Sequence, residues 1–132
     1  MAYAEQTKVP VERTKAEIEA LMRRYGATAF GTAQEADRGL VFFRLKERMI
    51  RFELPLAVKG EQAMRTKWRA LLLVIKAKLE AVASGIVTME DEFLAQTVMS
   101  DGETVGKKIQ AQVDENYRVG GPPKLMLTGA GQ

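Results

Sequence analysis

The chain has 132 residues, of which 46% are hydrophobic and 28% are charged, and its formal net charge is +3. This composition is typical of one globular domain, and it excludes a largely disordered chain or an acidic mimic of nucleic acid. The chain has no cysteine and no histidine, which excludes disulfides, thiolate metal sites and catalytic arrangements that need imidazole.

The first predicted element is a helix at about residues 14–25. Thr14 and Glu17 match a capping box, in which their side chains accept hydrogen bonds from exposed N–H groups of the first turn. Gly26 stands where a left-handed residue would end the helix. The apolar stripe of this helix has the spacing of one helical face and consists of Ile18, Leu21, Met22 and Tyr25.

A hairpin over residues 40–54 is the clearest β pattern in the chain. With Lys46 and Glu47 as a two-residue turn, Phe43 pairs with Ile50. The turn lacks the Asn-Gly or Asp-Gly signature, so a longer loop stays open as an alternative. The face opposite the core would carry Leu40, Phe42, Arg44, Met49, Arg51 and Glu53.

Three further helices are predicted at about residues 61–84, 89–98 and 104–118. Thr88 and Thr104 are suited to cap the second and third of these. The longest helix has an apolar stripe that widens in its middle, which is typical of a central helix or of one that meets another chain.

Together with a weaker strand at 27–33, these elements predict an α+β fold. The simplest arrangement is a three-stranded antiparallel meander with the helices packed mainly on one face. Residues 1–120 would form a single domain, and residues 121–132 a flexible C-terminal tail with a short apolar anchor at Leu125, Met126 and Leu127. No apolar run approaches the roughly 20 residues that cross a bilayer, so we expect no membrane partner.

A resemblance extends over most of the chain, and it is carried by residues 9–14, 25–28, 61–88, 92–94 and 98–105. These segments resemble a family of short bacteriophage and prophage proteins of unknown function. The resemblance departs after the hairpin, where relatives have a longer polar insertion before the long helix. It implies a phage origin and a location in the cytoplasm of the bacterial host, and it implies no activity and no site residues.

The motifs of catalysis and of cofactor binding are absent. Glu90, Asp91 and Glu92 are adjacent acids at a helix start, where the helix dipole favours negative charge. The segment Asp101–Thr104 lacks the full pattern of a calcium loop, and neither glycine-rich phosphate motif is present. We therefore predict a protein that is not an enzyme, with no cofactor and no metal. An enzyme that uses lysine or carboxylates with a metal is a third alternative, after the two binding functions below.

Basic residues form the pattern that most suggests a ligand. On the hairpin, Arg44 and Arg51 share a face with an aromatic ring, and two further cations lie at its tip. Cations beside aromatic rings on an open sheet are typical of proteins that hold single-stranded nucleic acid. The alternative is a solvated surface, since acids are interspersed. The predicted nucleic-acid contacts are Phe42, Arg44, Lys46, Arg48, Arg51, Arg65 and Arg69.

The stripe of the long helix gives the second functional hypothesis. Core packing is the favoured interpretation of this stripe, and the alternative is an interface with a host or phage protein or with a second copy as a homodimer. In that case the protein would be an inhibitor, a counter-defence factor or a host-takeover factor. The predicted interface residues are Trp68, Leu72, Leu73 and Val74.

Overall fold

A computed structural model describes residues 8–56 and 60–125 of the chain. The elements in chain order are α1 (Val11–Arg24), β1 (Ala29–Gln34), β2 (Arg38–Leu45), β3 (Arg48–Pro55), α2 (Glu61–Ala83), the single turn α3 (Met89–Glu92) and α4 (Val105–Gly120). The strands form one antiparallel sheet in the order β1-β2-β3. The predicted α+β fold with a meandering sheet is confirmed. In the described ranges, no helix is long and apolar enough to cross a membrane.

The predicted hairpin register is confirmed in detail. Phe43 pairs with Ile50, and the connection is the two-residue turn Lys46–Glu47. These two residues have φ angles of 51° and 68°, because the turn that fits two twisted antiparallel strands needs left-handed conformations at both positions. The turn therefore forms without the glycine or asparagine that usually occupies such positions.

The core lies between one face of the sheet and helices α1 and α2. Its largest buried side chain is Trp68 of α2, which is fully buried and touches the backbone region of Gly39 in β2. Three aromatic rings, those of Phe43, Phe52 and Phe93, form a cluster with centroids 6.1 to 6.3 Å apart. Every second side chain along β2 and β3 faces inward, and these side chains form the sheet side of the core.

The first helix begins three residues earlier than predicted, and the capping box is wrong. Pro10 is the N-cap, and its carbonyl accepts from the N–H groups of Arg13 and Thr14, because proline already has the φ that a helix start needs. Thr14 instead faces inward and is fully buried. The predicted end is confirmed: Gly26 has φ +101°, and Ala27 donates its N–H to the carbonyl of Met22.

The third helix is much shorter than the predicted 89–98. Thr88 caps it as expected, but α3 ends at Glu92. The chain then runs along the outer edge of β3, where Arg51 donates its N–H to the carbonyl of Gln96 and Val98 donates to that of Met49. A strand edge offers unpaired N–H and C=O groups, and pairing with them here replaces the continuation of the helix.

The last helix starts where predicted but does not pack on the sheet. Thr104 accepts from the N–H of Lys107 at 3.4 Å, yet none of the residues in α4 is buried. Helices α1 and α2 already cover the inner face, so α4 has no sheet surface left there. In the predicted tail, Leu125 is 83% exposed and does not act as an anchor, whereas residues 126–132 lie outside the described residues.

Candidate functional site

The face of the sheet opposite the core carries the predicted hairpin contacts, and we call it the open sheet face. Alternation and register place on it Ala29, Gly31 and Ala33 of β1, Leu40, Phe42 and Arg44 of β2, and Met49, Arg51 and Glu53 of β3. The sequence predicted the β2 and β3 members of this face. The β1 residues can be assigned to this face only from the register between β1 and β2 in the structure.

Phe42 lies over a glycine on the open sheet face. A Cβ atom added to Gly31 would stand 2.5 Å from Cζ of the Phe42 ring, so the ring fills the space that a side chain would take. Phe42 is half-buried by this contact. Its cross-strand neighbour on the other side is Arg51. The ring is thus packed against the sheet, and Phe42 as a whole is only partly buried.

The hairpin tip carries three cations that lack an acidic partner among the described residues. Arg44 and Lys46 are exposed and Arg48 is half-buried, and within residues 8–56 and 60–125 no carboxylate lies at ion-pair distance from any of them. Arg48 pairs with Leu45 in the register, so it lies on the opposite side of the sheet from Arg44. The turn residue Lys46 lies between them.

Arg51, a predicted nucleic-acid contact, makes a hydrogen bond within the fold. Its Nη1 donates to the carbonyl oxygen of Gly102 at 2.9 Å, and its side chain is only 23% exposed. It fixes the loop that follows α3 against β3. While its guanidinium makes this hydrogen bond, the Arg51 side chain is less free to move towards a phosphate.

The two arginines predicted on the long helix do not join the hairpin site. Arg69 donates to Glu17 of α1 at 2.9 Å, and Arg65 donates to Glu61 and Gln62. Because α2 packs on the inner face of the sheet, these side chains lie on the side away from the open sheet face. The predicted constellation of seven residues therefore reduces to the hairpin tip and Phe42.

The predicted interface on α2 is mostly core. Trp68 is fully buried and Leu72 is 7% exposed, which agrees with the core interpretation of the stripe. Leu73 is half-buried, and Val74 is 45% exposed. Of the four predicted residues, these last two reach the surface.

An ion-pair cluster at Glu53 links the open sheet face to the base of α4. Its carboxylate lies 3.2 Å from Lys107 Nζ and 3.2 Å from Arg38 Nη1. Partial burial by itself would raise the pKa of Glu53, but the hydrogen bonds and positive charges of Lys107 and Arg38 outweigh it and lower the pKa. The cluster is a fixed anchor for α4, and sequence reasoning missed it because its members lie on three separate elements.

The described part of the chain contains no group of three or more acidic residues placed to hold a metal ion. A cavity of about 680 Å³ lies between the starts of α1 and α2, and Val11, Leu56 and Met64 are among the residues that line it. No protein-family model matches the chain, and no curated protein or solved structure is significantly similar to it.

Proposed function

We propose that the protein binds single-stranded nucleic acid through its hairpin tip and the adjoining open sheet face. The observation that supports this function is the set of three cations at the hairpin tip, Arg44, Lys46 and Arg48, which have no acidic partner among the described residues; Arg44 shares the open sheet face with the partly buried Phe42. Most other basic side chains of the described residues are paired with acids. Within the described part of the chain, the hairpin tip brings three unpaired cations together on one short segment.

The cations and the ring together suit single-stranded nucleic acid, which is a flexible polyanion with exposed bases. Cations neutralise phosphates without reading sequence, and an aromatic ring stacks on any base. Arg44 and Phe42 lie two residues apart on the same face of β2, so a phosphate and its neighbouring base can be contacted together. Glu47 in the turn opposes this binding by its charge, and we expect an affinity that falls strongly with salt.

A pair of double variants tests the proposal. Arg44→Ala with Lys46→Ala removes two cations from the tip. The matched control, Arg24→Ala with Lys76→Ala, removes two exposed cations from the helices that also lack an acidic partner in the described ranges. The net charge of the two variants is identical. Binding of a labelled oligothymidylate of about 20 nucleotides is followed by fluorescence anisotropy between about 50 and 200 mM salt.

The tip variant should bind at least about tenfold more weakly, and its salt slope should fall by about 1.4, which is about 0.7 for each lost phosphate contact. The control should keep most of the affinity. Equal losses of affinity in the two variants would show that binding depends only on net charge. No binding by the unchanged protein at low salt would refute the proposal.

A second function, protein association through an apolar helix surface, is favoured by a separate observation. Ile109 and Val113 of α4 are each 42% exposed and lie on one stripe. The surface differs from the one predicted on α2. The resemblance noted in the sequence is our reason to assign either function to a phage protein acting in the cytoplasm of its bacterial host.

A further inference from the structure

The outer edge of β1 carries backbone groups that β2 does not bind. Glu35 donates its N–H to the carbonyl of Arg38 at 2.8 Å. Hydrogen-bonded pairs alternate along an antiparallel ladder, so every second residue counted back from Glu35 bonds to β2, and the residues between them direct their N–H and C=O groups outward. In the described part of the chain, no backbone group pairs with this edge. The outward residues are Phe30, Thr32 and Gln34.

Strand β1 lacks the features that usually keep an exposed strand edge from pairing. Its sequence contains no charged residue and no proline, and its register with β2 runs without a bulge. Charges, prolines and bulges are what natural sheet edges use against pairing with another chain. A row of unpaired N–H and C=O groups without these features fits one kind of partner, an extended backbone.

We propose that β1 pairs with β1 of a second copy of the chain, in antiparallel orientation about a two-fold axis at Thr32. Because Thr32 is an outward residue, its two copies exchange both backbone hydrogen bonds across the axis. Phe30 then lies opposite Gln34, and Gly31 lies opposite Ala33. The strand is complementary to itself in this register, since no like charges are opposed and two threonines form a favourable cross-strand pair.

The other edge of the sheet makes the assembly a closed dimer. Two copies joined at β1 form a six-stranded sheet whose outer strands are both β3. The outer edge of β3 is already occupied by its own chain, through the hydrogen bonds of Gln96 and Val98. The joined sheet therefore has no free edge for a third copy in its described part, and the two-fold contact ends at two chains.

The two-fold axis is perpendicular to the sheet, so the open sheet faces of both copies lie on the same side. Neighbouring strands are about 4.8 Å apart, and three such spacings place β2 of one copy about 14 Å from β2 of the other. The Phe42 rings of both copies would then share one surface. A longer surface for nucleic acid is a consequence that rests on the proposed function, whereas the pairing itself does not.

A single introduced cysteine tests the register, because the chain has none of its own. Thr32→Cys places two thiols on opposed residues whose Cα atoms are about 5.5 Å apart, a distance that a disulfide spans. Gln34→Cys is the matched control: it is more exposed than Thr32 but lies opposite Phe30. Under mild oxidation, Thr32→Cys should form a linked dimer at least about tenfold faster than Gln34→Cys. Equal rates, or a faster control, would indicate random collision and overturn the pairing.

Sedimentation equilibrium between about 1 and 300 µM tests the dimer itself, since an edge of six residues is a small contact for which we expect a micromolar dissociation constant. Thr32→Pro removes the outward N–H and should weaken the dimer at least about tenfold. Thr32→Val keeps this N–H and should retain most of the affinity. Circular dichroism checks that both variants fold.

A monomer over the whole concentration range would overturn the proposal. A dimer that is unchanged in Thr32→Pro but lost in Val113→Glu would also overturn it and would place the interface on α4. Both experiments are free of nucleic acid, so their failure would leave the proposed function standing.

Discussion

Exchanging the two residues of the hairpin turn for asparagine and glycine, as Lys46→Asn with Glu47→Gly, should stabilise the protein. Both native residues have φ angles in the left-handed region, 51° and 68°, and each costs about 1 kcal/mol there for a residue with an ordinary side chain. Asparagine and glycine adopt this conformation readily, so roughly 2 kcal/mol is recovered. The greater conformational freedom of glycine in the unfolded chain offsets about 0.5–1 kcal/mol of this stabilisation. The net gain is about 1–1.5 kcal/mol.

Urea unfolding followed by circular dichroism measures this gain directly. For a domain of this size, it corresponds to a rise of about 3–7 °C in the melting temperature. The urea midpoint should shift while the slope of the transition stays constant, since the surface exposed on unfolding does not change. An unchanged or lower midpoint would refute the idea that the native turn is strained.

Variants of the same turn should change stability and nucleic-acid binding independently. Glu47→Gly alone relieves one strained position and removes the opposing charge, so it should gain stability and bind nucleic acid more tightly. The double variant Lys46→Asn with Glu47→Gly also loses a tip cation, so it should bind more weakly than Glu47→Gly alone although it is more stable. If the double variant bound as tightly as Glu47→Gly alone, Lys46 would have no role in binding.

Three further predictions concern the core, the open sheet face and pH. Trp68→Ala should lower the free energy of unfolding by about 3–5 kcal/mol in urea titrations, because the side chain is fully buried; a loss under about 1 kcal/mol would contradict its place in the core. Gly31→Ala and Phe42→Leu should show a coupling energy of at least about 0.5 kcal/mol in a double-mutant cycle, because the new Cβ meets the ring; strict additivity would refute this contact. Because the pKa of Glu53 is lowered in the folded protein, its contribution to stability is present above its unfolded pKa and is lost as pH falls through the folded one. Unfolding titrations over that acidic range should show a shallower loss in Lys107→Met than in the unchanged protein.

The hairpin could be predicted from the sequence because its determinants are local. The alternation along β2 and β3 and the short spacer between them fix which residues face each other, and the register between Phe43 and Ile50 follows. Helix caps such as Thr104 and the left-handed Gly26 are local for the same reason: each acts on backbone groups within a few residues.

The errors of prediction arose where a distant part of the chain competes for the same groups. Residues 93–98 carry a helical pattern, but the free edge of β3 offers hydrogen bonds to Gln96 and Val98 that the pattern does not reveal. Thr14 looked like a cap, whereas the inward face of α1 buries it. Local pattern also gave no sign that Arg51 donates a hydrogen bond to the carbonyl of Gly102, 51 residues away in sequence.

Periodicity, turn chemistry and composition by themselves determined the α+β class, the hairpin with its register, and the absence of imidazole and thiol chemistry. Only the tertiary structure decided which cations of the described residues lack an acidic partner, which face Phe42 shares with Gly31, and that the stripe of α4 is left exposed. The reason is physical: backbone periodicity depends on neighbours within a few residues, whereas ion pairing and burial depend on which distant elements arrive at the same place.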